Sequence, residues 1–125
     1  MIIKNKMLNF KTKEALAFED ITDMVVDFVT ESGVQNGLVN IQTLHTTNAI
    51  FVNENEPLLI EDMKNHFRNH AKADVYYGHN DFDIRTVNMC GLNECQNGHS
   101  HCMAVYLPTS VCLNVVDGKI TFGEW

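Results

Sequence analysis

Two short runs rich in β-branched residues, SVCLNVV (110–116) and KITFGEW (119–125), are separated by Asp117-Gly118 alone. An Asp-Gly pair between such runs favours a two-residue turn with both residues at positive φ, whose twist matches that of paired strands. The end of the chain therefore predicts an antiparallel hairpin, and the preceding segments must be compatible with an antiparallel sheet.

The segment EDITDMVVDFVTESG (19–33) has a different period. Ile21, Val25, Phe28 and Val29 fall on one helical face with Met24 beside it. Glu19, Asp20 and Asp23 crowd the amino end, where the helix dipole favours them, and Gly33 supplies the stop. Asn36-Gly37 marks a turn. The run LVNIQTLHTTNAIFVNE (38–54) lacks Gly and Pro and is rich in β-branched residues, so it predicts strand. The polar HTTN in its middle leaves open one bent strand or two. Pro57 suits a first helical turn and opens PLLIEDMKNHFRNHAK (57–72), with Leu59, Met63 and Phe67 along one face. The opening MIIKNKMLNFKT (1–12) reads as a strand whose lysines discourage edge pairing. HSHCMAVYL (99–107) reads as a further strand. Residues 73–98 show neither period, and long irregular segments in compact domains tend to be functional. Strands with two main helices give an α+β class with antiparallel pairing, in a single domain over 1–125.

Composition narrows the function. Nine Lys and Arg against sixteen Asp and Glu give a formal charge of −7, which disfavours a nucleic-acid partner. Arg68 and Arg85 are the only guanidinium groups, too few for a multi-arginine anion clamp within one chain. No stretch approaches the roughly 20 apolar residues that cross a bilayer, and the first residues do not resemble a secretory signal. A cytoplasmic protein without membrane association is expected. Cys90, Cys95, Cys102 and Cys112 fit that compartment as reduced thiols, and their spacing contains no CxxC pair.

The histidines carry the chemistry. On a strand, His99 and His101 point to the same face about 6.6 Å apart and can converge on one metal; the competing account is a wet polar strand start. His45 stands where an apolar run turns polar, followed by Thr46 and Thr47, whose hydroxyls can orient a ring or an anion. Glu54 lies shortly after it, although Glu54 and Glu56 also suit the acidic start of a helix. His66 and His70 have metal-binding i, i+4 spacing with Asp62 one turn earlier. HFRNH nevertheless lacks the Glu that follows the first His in HExxH, so a solvated helix face explains this pair better. His79 sits in the irregular YYGHNDFDIR, where Asp81, Asp83 and Arg85 could bind a polar substrate or keep the loop soluble. Ser100, on the opposite strand face from its flanking histidines, is a poor nucleophile. No GxGxxG, GxxxxGK[ST] or GxSxG is present.

Taken in order, ITD at 21–23, HTT at 45–47, Asn53-Glu54 with Pro57 behind, Asp62, Tyr77-Gly78-His79, NGHSH at 97–101 and GEW at 123–125 resemble the YjbQ-like family over nearly the whole chain. The resemblance implies a mostly antiparallel, β-sandwich-like α+β core with two main helices. It also implies a homotrimer with pockets at or near the subunit contacts. It marks His45, His79 and His101 as metal ligands and Glu54 and Asp62 as the matching acids. His99 falls where family members often lack histidine, which leaves it peripheral, with Asn53 and Arg85, as a substrate contact. The chain stops at Trp125, where family members continue into a further strand with an Asp-Gly-Pro-Arg run, so that strand is expected to be missing.

The expected function is a metal-assisted enzyme acting on a small molecule, using a divalent metal, zinc by ligand type. Glu54 would serve as general base or fourth ligand, and Thr46 or Thr47 would orient the first ring. The reaction would be a thiamine-phosphate-synthase-like transfer, as a weak side activity, or a metal-dependent hydrolysis. The alternatives are a metal- or small-molecule-binding trimer without catalysis, and a structural trimer whose histidines line a wet channel.

Overall fold

In the computed structural model, which describes residues 1–91 and 93–124, the helices and strands follow in the order α1 Thr22–Ser32, β1 Gly37–Gln42, α2 Pro57–His70, α3 Gly98–Ala104, β2 Ser110–Val116 and β3 Lys119–Ile120. A 3-10 turn, Gly78–Asn80, lies between α2 and α3. Asp117 (φ 50°) and Gly118 (φ 74°) form the positive-φ turn that their sequence favours. They pair Val116 with Lys119 and Val115 with Ile120. β1 runs antiparallel along the other side of β2, from Gly37 opposite Val115 to Gln42 opposite Ser110. The Gly118 amide donates to the Gln35 carbonyl at 2.8 Å and ties the hairpin turn to the α1–β1 connection.

α1 covers one face of this sheet. Val25 and Val29, one turn apart, pack on Val39 of β1 and Val115 of β2, and Ile21, Ile41, Leu113 and Ile120 close around them. Gly33 ends the helix in the left-handed region (φ 72°), where a Cβ would be strained. The start of α1 is held by Asp20. One carboxylate oxygen accepts from the Thr22 amide at 2.9 Å and hydroxyl at 2.6 Å; the other accepts from Asn55 Nδ2 at 2.7 Å. These bonds, those to Thr22 foremost, hold the Asp20 carboxyl below the usual range and tie α1 to the segment before α2.

α2 stands apart from the valine cluster and has no buried residue. Phe18 bridges to it, stacking on Phe67 (6.2 Å between centroids) and meeting Phe51 edge-on (6.1 Å). Its first turn is capped by Glu56, whose carboxylate accepts the Leu58 amide at 2.9 Å and the Leu59 amide at 2.7 Å. Glu56→Ala should cost about 1 kcal/mol, read as a shift of the urea midpoint with an unchanged slope.

The α+β class and antiparallel pairing match the expectation from sequence, but four features differ. The described sheet is a single one of three strands, without the second layer of a sandwich. Residues 1–12 form no strand. The run 38–54 leaves the sheet at Gln42. Beyond it the polar residues turn outward, with the Asn48 amide bonded to the His45 carbonyl at 3.2 Å. The ends of this excursion return to adjacent carbonyls: Thr43 N–H to Thr109 at 2.9 Å and Ile50 N–H to Pro108 at 2.9 Å. The fourth difference alters the site. HSHCMAVYL is not a strand: residues 98–104 are α3, in which Met103 and Ala104 are good helix formers.

Candidate functional site

A helix over 98–104 breaks the expected pairing of His99 with His101, because residues two apart on a helix point about 200° apart. The two rings accordingly have different neighbours. His99 lies near Tyr77, with 6.4 Å between ring centroids, and its Nε2 is 3.3 Å from Ser100 Oγ. Its Nδ1 is buried without a hydrogen-bond partner among the described residues. His101 meets His79 instead, edge to face, with centroids 4.8 Å apart and ring planes at 67°.

His79 belongs to the 3-10 turn; two contacts place that turn against α3, and a third ties it to Arg85. Asn80 Oδ1 accepts the Gly98 amide at 2.8 Å. Gly98 lies so close that a Cβ there would stand 2.8 Å from Tyr77 Cβ, an approach that glycine permits. The His79 carbonyl accepts from Arg85 Nη1 at 3.3 Å. Asp81, beside them, is occupied locally: it accepts the Tyr76 hydroxyl at 3.0 Å and the Asp83 amide at 3.2 Å.

Arg85, expected at the substrate, is engaged with the chain. Nε reaches the Val87 carbonyl at 3.3 Å, Nη2 the Asn88 carbonyl at 2.7 Å, and Nη1 pairs with Glu94 at 3.5 Å. The other Glu94 oxygen accepts the Cys90 amide.

His45 enters from the 43–50 excursion and is exposed. Its Nδ1 lies 2.9 Å from Thr47 Oγ1 and 3.3 Å from the Thr47 amide. Thr47 thus orients the ring, and its hydroxyl can face either tautomer. Gln42, Thr43, Leu44, His45, Thr46 and Thr109 line a hollow of ≈ 270 Å³ beside that ring. A larger hollow of ≈ 750 Å³ lies away from the histidines, between Met1–Lys4, the end of α1 and β1.

His101 joins the three segments electrostatically. Burial first, then the charges of His79, Arg85 and His45, lower its proton affinity below the ordinary imidazole value.

The remaining expected residues lie elsewhere. Asn53 accepts the Glu54 amide at 2.8 Å and contacts Met63 Sδ at 3.7 Å. Glu54, and Asp62 on α2, are exposed. Among the described residues no three His, Cys, Asp or Glu side chains stand together as a metal-ion site. The His79–His101 pair fits two positions of such a site, since two rings on one tetrahedral ion sit about 5 Å apart; the third donor is not in place. Trp125, the last residue of the family-like GEW, lies outside the described residues. Asn80 and Glu94 do not stand out in the sequence, whereas Gly98 lies in the family-like NGHSH run. Of the first two, Asn80 alone offers a local hint, by its position next to His79.

Comparison with known proteins identifies the family and the fold. Residues 6–125 match the family described as UPF0047 protein YjbQ-like. A UPF0047 protein of Methanothermobacter thermautotrophicus is 33% identical over 125 residues, covering 100% of this chain and 79% of the relative. One from Archaeoglobus fulgidus is 33% identical over 118 residues, covering 94% and 82%. A crystal structure of a YbjQ-like protein of unknown function from Sulfolobus solfataricus superposes with a TM-score of 0.73 at 32% identity, over 86% of this chain and 69% of that one. A hypothetical protein from Aeropyrum pernix gives 0.71 at 31% identity, over 86% and 71%. No helix among the described residues is long and apolar enough to cross a membrane. The chain belongs to the UPF0047 YjbQ-like family.

Proposed function

We propose that the corner formed by His45, His79 and His101 is the site of a metal-assisted reaction on a small molecule. His79 and His101 would supply two ligands to a divalent cation, zinc by donor chemistry, and His45 would supply the third. The observation that carries this reading is the 4.8 Å approach of two imidazoles from separate segments. The lowered proton affinity of His101 supports it, because ligation requires the neutral ring. When bound, the cation supplies Lewis acidity to a substrate oxygen or to water.

Thr47 governs what His45 offers. With the Thr47 amide donating to Nδ1, the ring proton sits on Nε2 and the ring is a donor. With Nδ1–H donating to Thr47 Oγ1 instead, Nε2 presents a lone pair. Thr46 and its neighbours in the ≈ 270 Å³ hollow offer hydroxyls to a small polar substrate. Glu54 is assigned as general base and Asp62 as its companion acid.

A second reading, a binder without turnover, is favoured by one observation: no hydrogen bond joins Glu54 or Asp62 to the three imidazoles among the described residues. Thiamine-phosphate synthase chemistry displaces pyrophosphate. With Arg85 engaged by carbonyls and Glu94, phosphate contacts would fall to the cation, backbone amides or neighbouring subunits.

Assembly as a homotrimer in the cytoplasm belongs to the same proposal. The chain exposes 9740 Å², roughly 3,000 Å² above the area expected for a folded monomer of its mass. Ile2, Ile3, Leu38, Leu44 and Tyr106 are among the exposed apolar side chains, and such an excess is of the size that obligate interfaces bury.

Metal analysis of untagged protein dialysed against zinc tests the site. One zinc per chain is expected, and none bound would overturn it. With a candidate substrate, Glu54→Gln should abolish turnover and retain the zinc in an enzyme; in a binder it should change nothing.

A further inference from the structure

We propose that Asn80 and Arg85 are positioning residues that hold the His79 ring against His101 across two separate segments. The inference rests on the proposed site and names what assembles it.

α3 begins without help from its own N-cap, since the Asn97 side chain makes no capping bond. The Gly98 amide, one of the donors a helix start leaves without a partner, is taken by Asn80 Oδ1 from the 3-10 turn. His79 immediately precedes Asn80, and His101 follows Gly98 by about one turn of helix. The capping bond therefore sets the distance between the two rings. From the other flank, Arg85 holds the His79 carbonyl and, through Nε and Nη2, the carbonyls of Val87 and Asn88. The Arg85 and Glu94 side chains are only 15% and 11% exposed, so this ion pair is shielded compared with a surface pair. Asn88 at φ 54° takes the chain back toward Arg85. His79 is thus fixed on both sides of its peptide, and the only guanidinium near the site serves this purpose.

The test reads ring proximity in metal-free, full-length protein. Wild type should show a through-space NMR signal between the His79 and His101 ring protons. Asn80→Ala and Arg85→Gln should abolish that signal, while Asn80→Asp, which keeps an acceptor for Gly98, should retain it. Methyl resonances of Val25, Val29, Val39 and Val115 report folding independently, because that cluster lies elsewhere. Zinc affinity should fall about 10- to 100-fold in the two disruptive variants. Ring proximity persisting in both folded variants would overturn the inference, as would failure of Asn80→Asp to retain it. If the rings separate in the variants of a protein that takes up no zinc, the positioning role is supported and the metal reading alone falls.

Discussion

Val115→Asp is expected to abolish the cooperative thermal transition, whereas Val116→Asp should shift it little. Val115 is 3% exposed on the central strand and touches the cluster of Val25, Val29 and Val39; its neighbour Val116 points to the other face and is 47% exposed. Placing an unpaired carboxylate among the three remaining valines costs several kcal/mol, either as desolvation or as forced protonation. Domains have only about 5–15 kcal/mol in total, and among the described residues no side chain is fully buried, so little else can compensate. Val115→Ala removes about two methyl equivalents and should cost about 2 kcal/mol. Val116→Asp should stay within about 0.5 kcal/mol, as is usual for an exposed position. Circular dichroism melts separate the outcomes. A Val115→Asp protein with a sharp transition near the wild-type temperature would show that the valine cluster does not hold the fold.

The elements that were legible from sequence are those whose causes are local. Asp117-Gly118 carries its own turn geometry, Gly33 its own stop, and the Ile21, Val25 and Val29 spacing its own face. α3 escaped this logic because its decisive contact is not local: the Gly98 amide is capped by Asn80, eighteen residues earlier in the chain. Locally, His99, His101 and Val105 alternate as a strand would, and seven residues are too few to display a helical period. The end of β1 was ambiguous for a related reason. HTTN does not reveal that its two flanks return to the carbonyls of Pro108 and Thr109. Of the candidate site, the pairing of His79 with His101 followed from the family-like motifs, and spacing alone pointed to the wrong partner, His99. Arg85 illustrates the limit of reading residue type. A lone arginine among loop acids resembles an anion contact, and only the fold shows its donors directed at three carbonyls and Glu94.

His101→Ala should weaken zinc binding about 100-fold or more, while His99→Ala changes it less than about 3-fold. Were 99–107 a strand, both rings would face one ion and both variants would suffer alike. On α3 only His101 reaches His79, so the contrast between the two variants tests the helix and the site together. Proton titration gives a metal-independent check. The His101 midpoint should lie below the ordinary imidazole value of 6.5, because burial, then His79, Arg85 and His45, disfavour its cation. Between that ordinary value and the lowered one, the unfolded chain binds more protons at this residue than the folded chain does. Stability from this group is therefore fully present above about pH 6.5 and is lost as pH falls through the folded value. Denaturant midpoints measured on either side of that window should converge in His101→Ala, which lacks the titrating ring, but not in His99→Ala. An undiminished slope in His101→Ala would mean that the acid sensitivity arises elsewhere and that this imidazole is not the neutral ring the site requires.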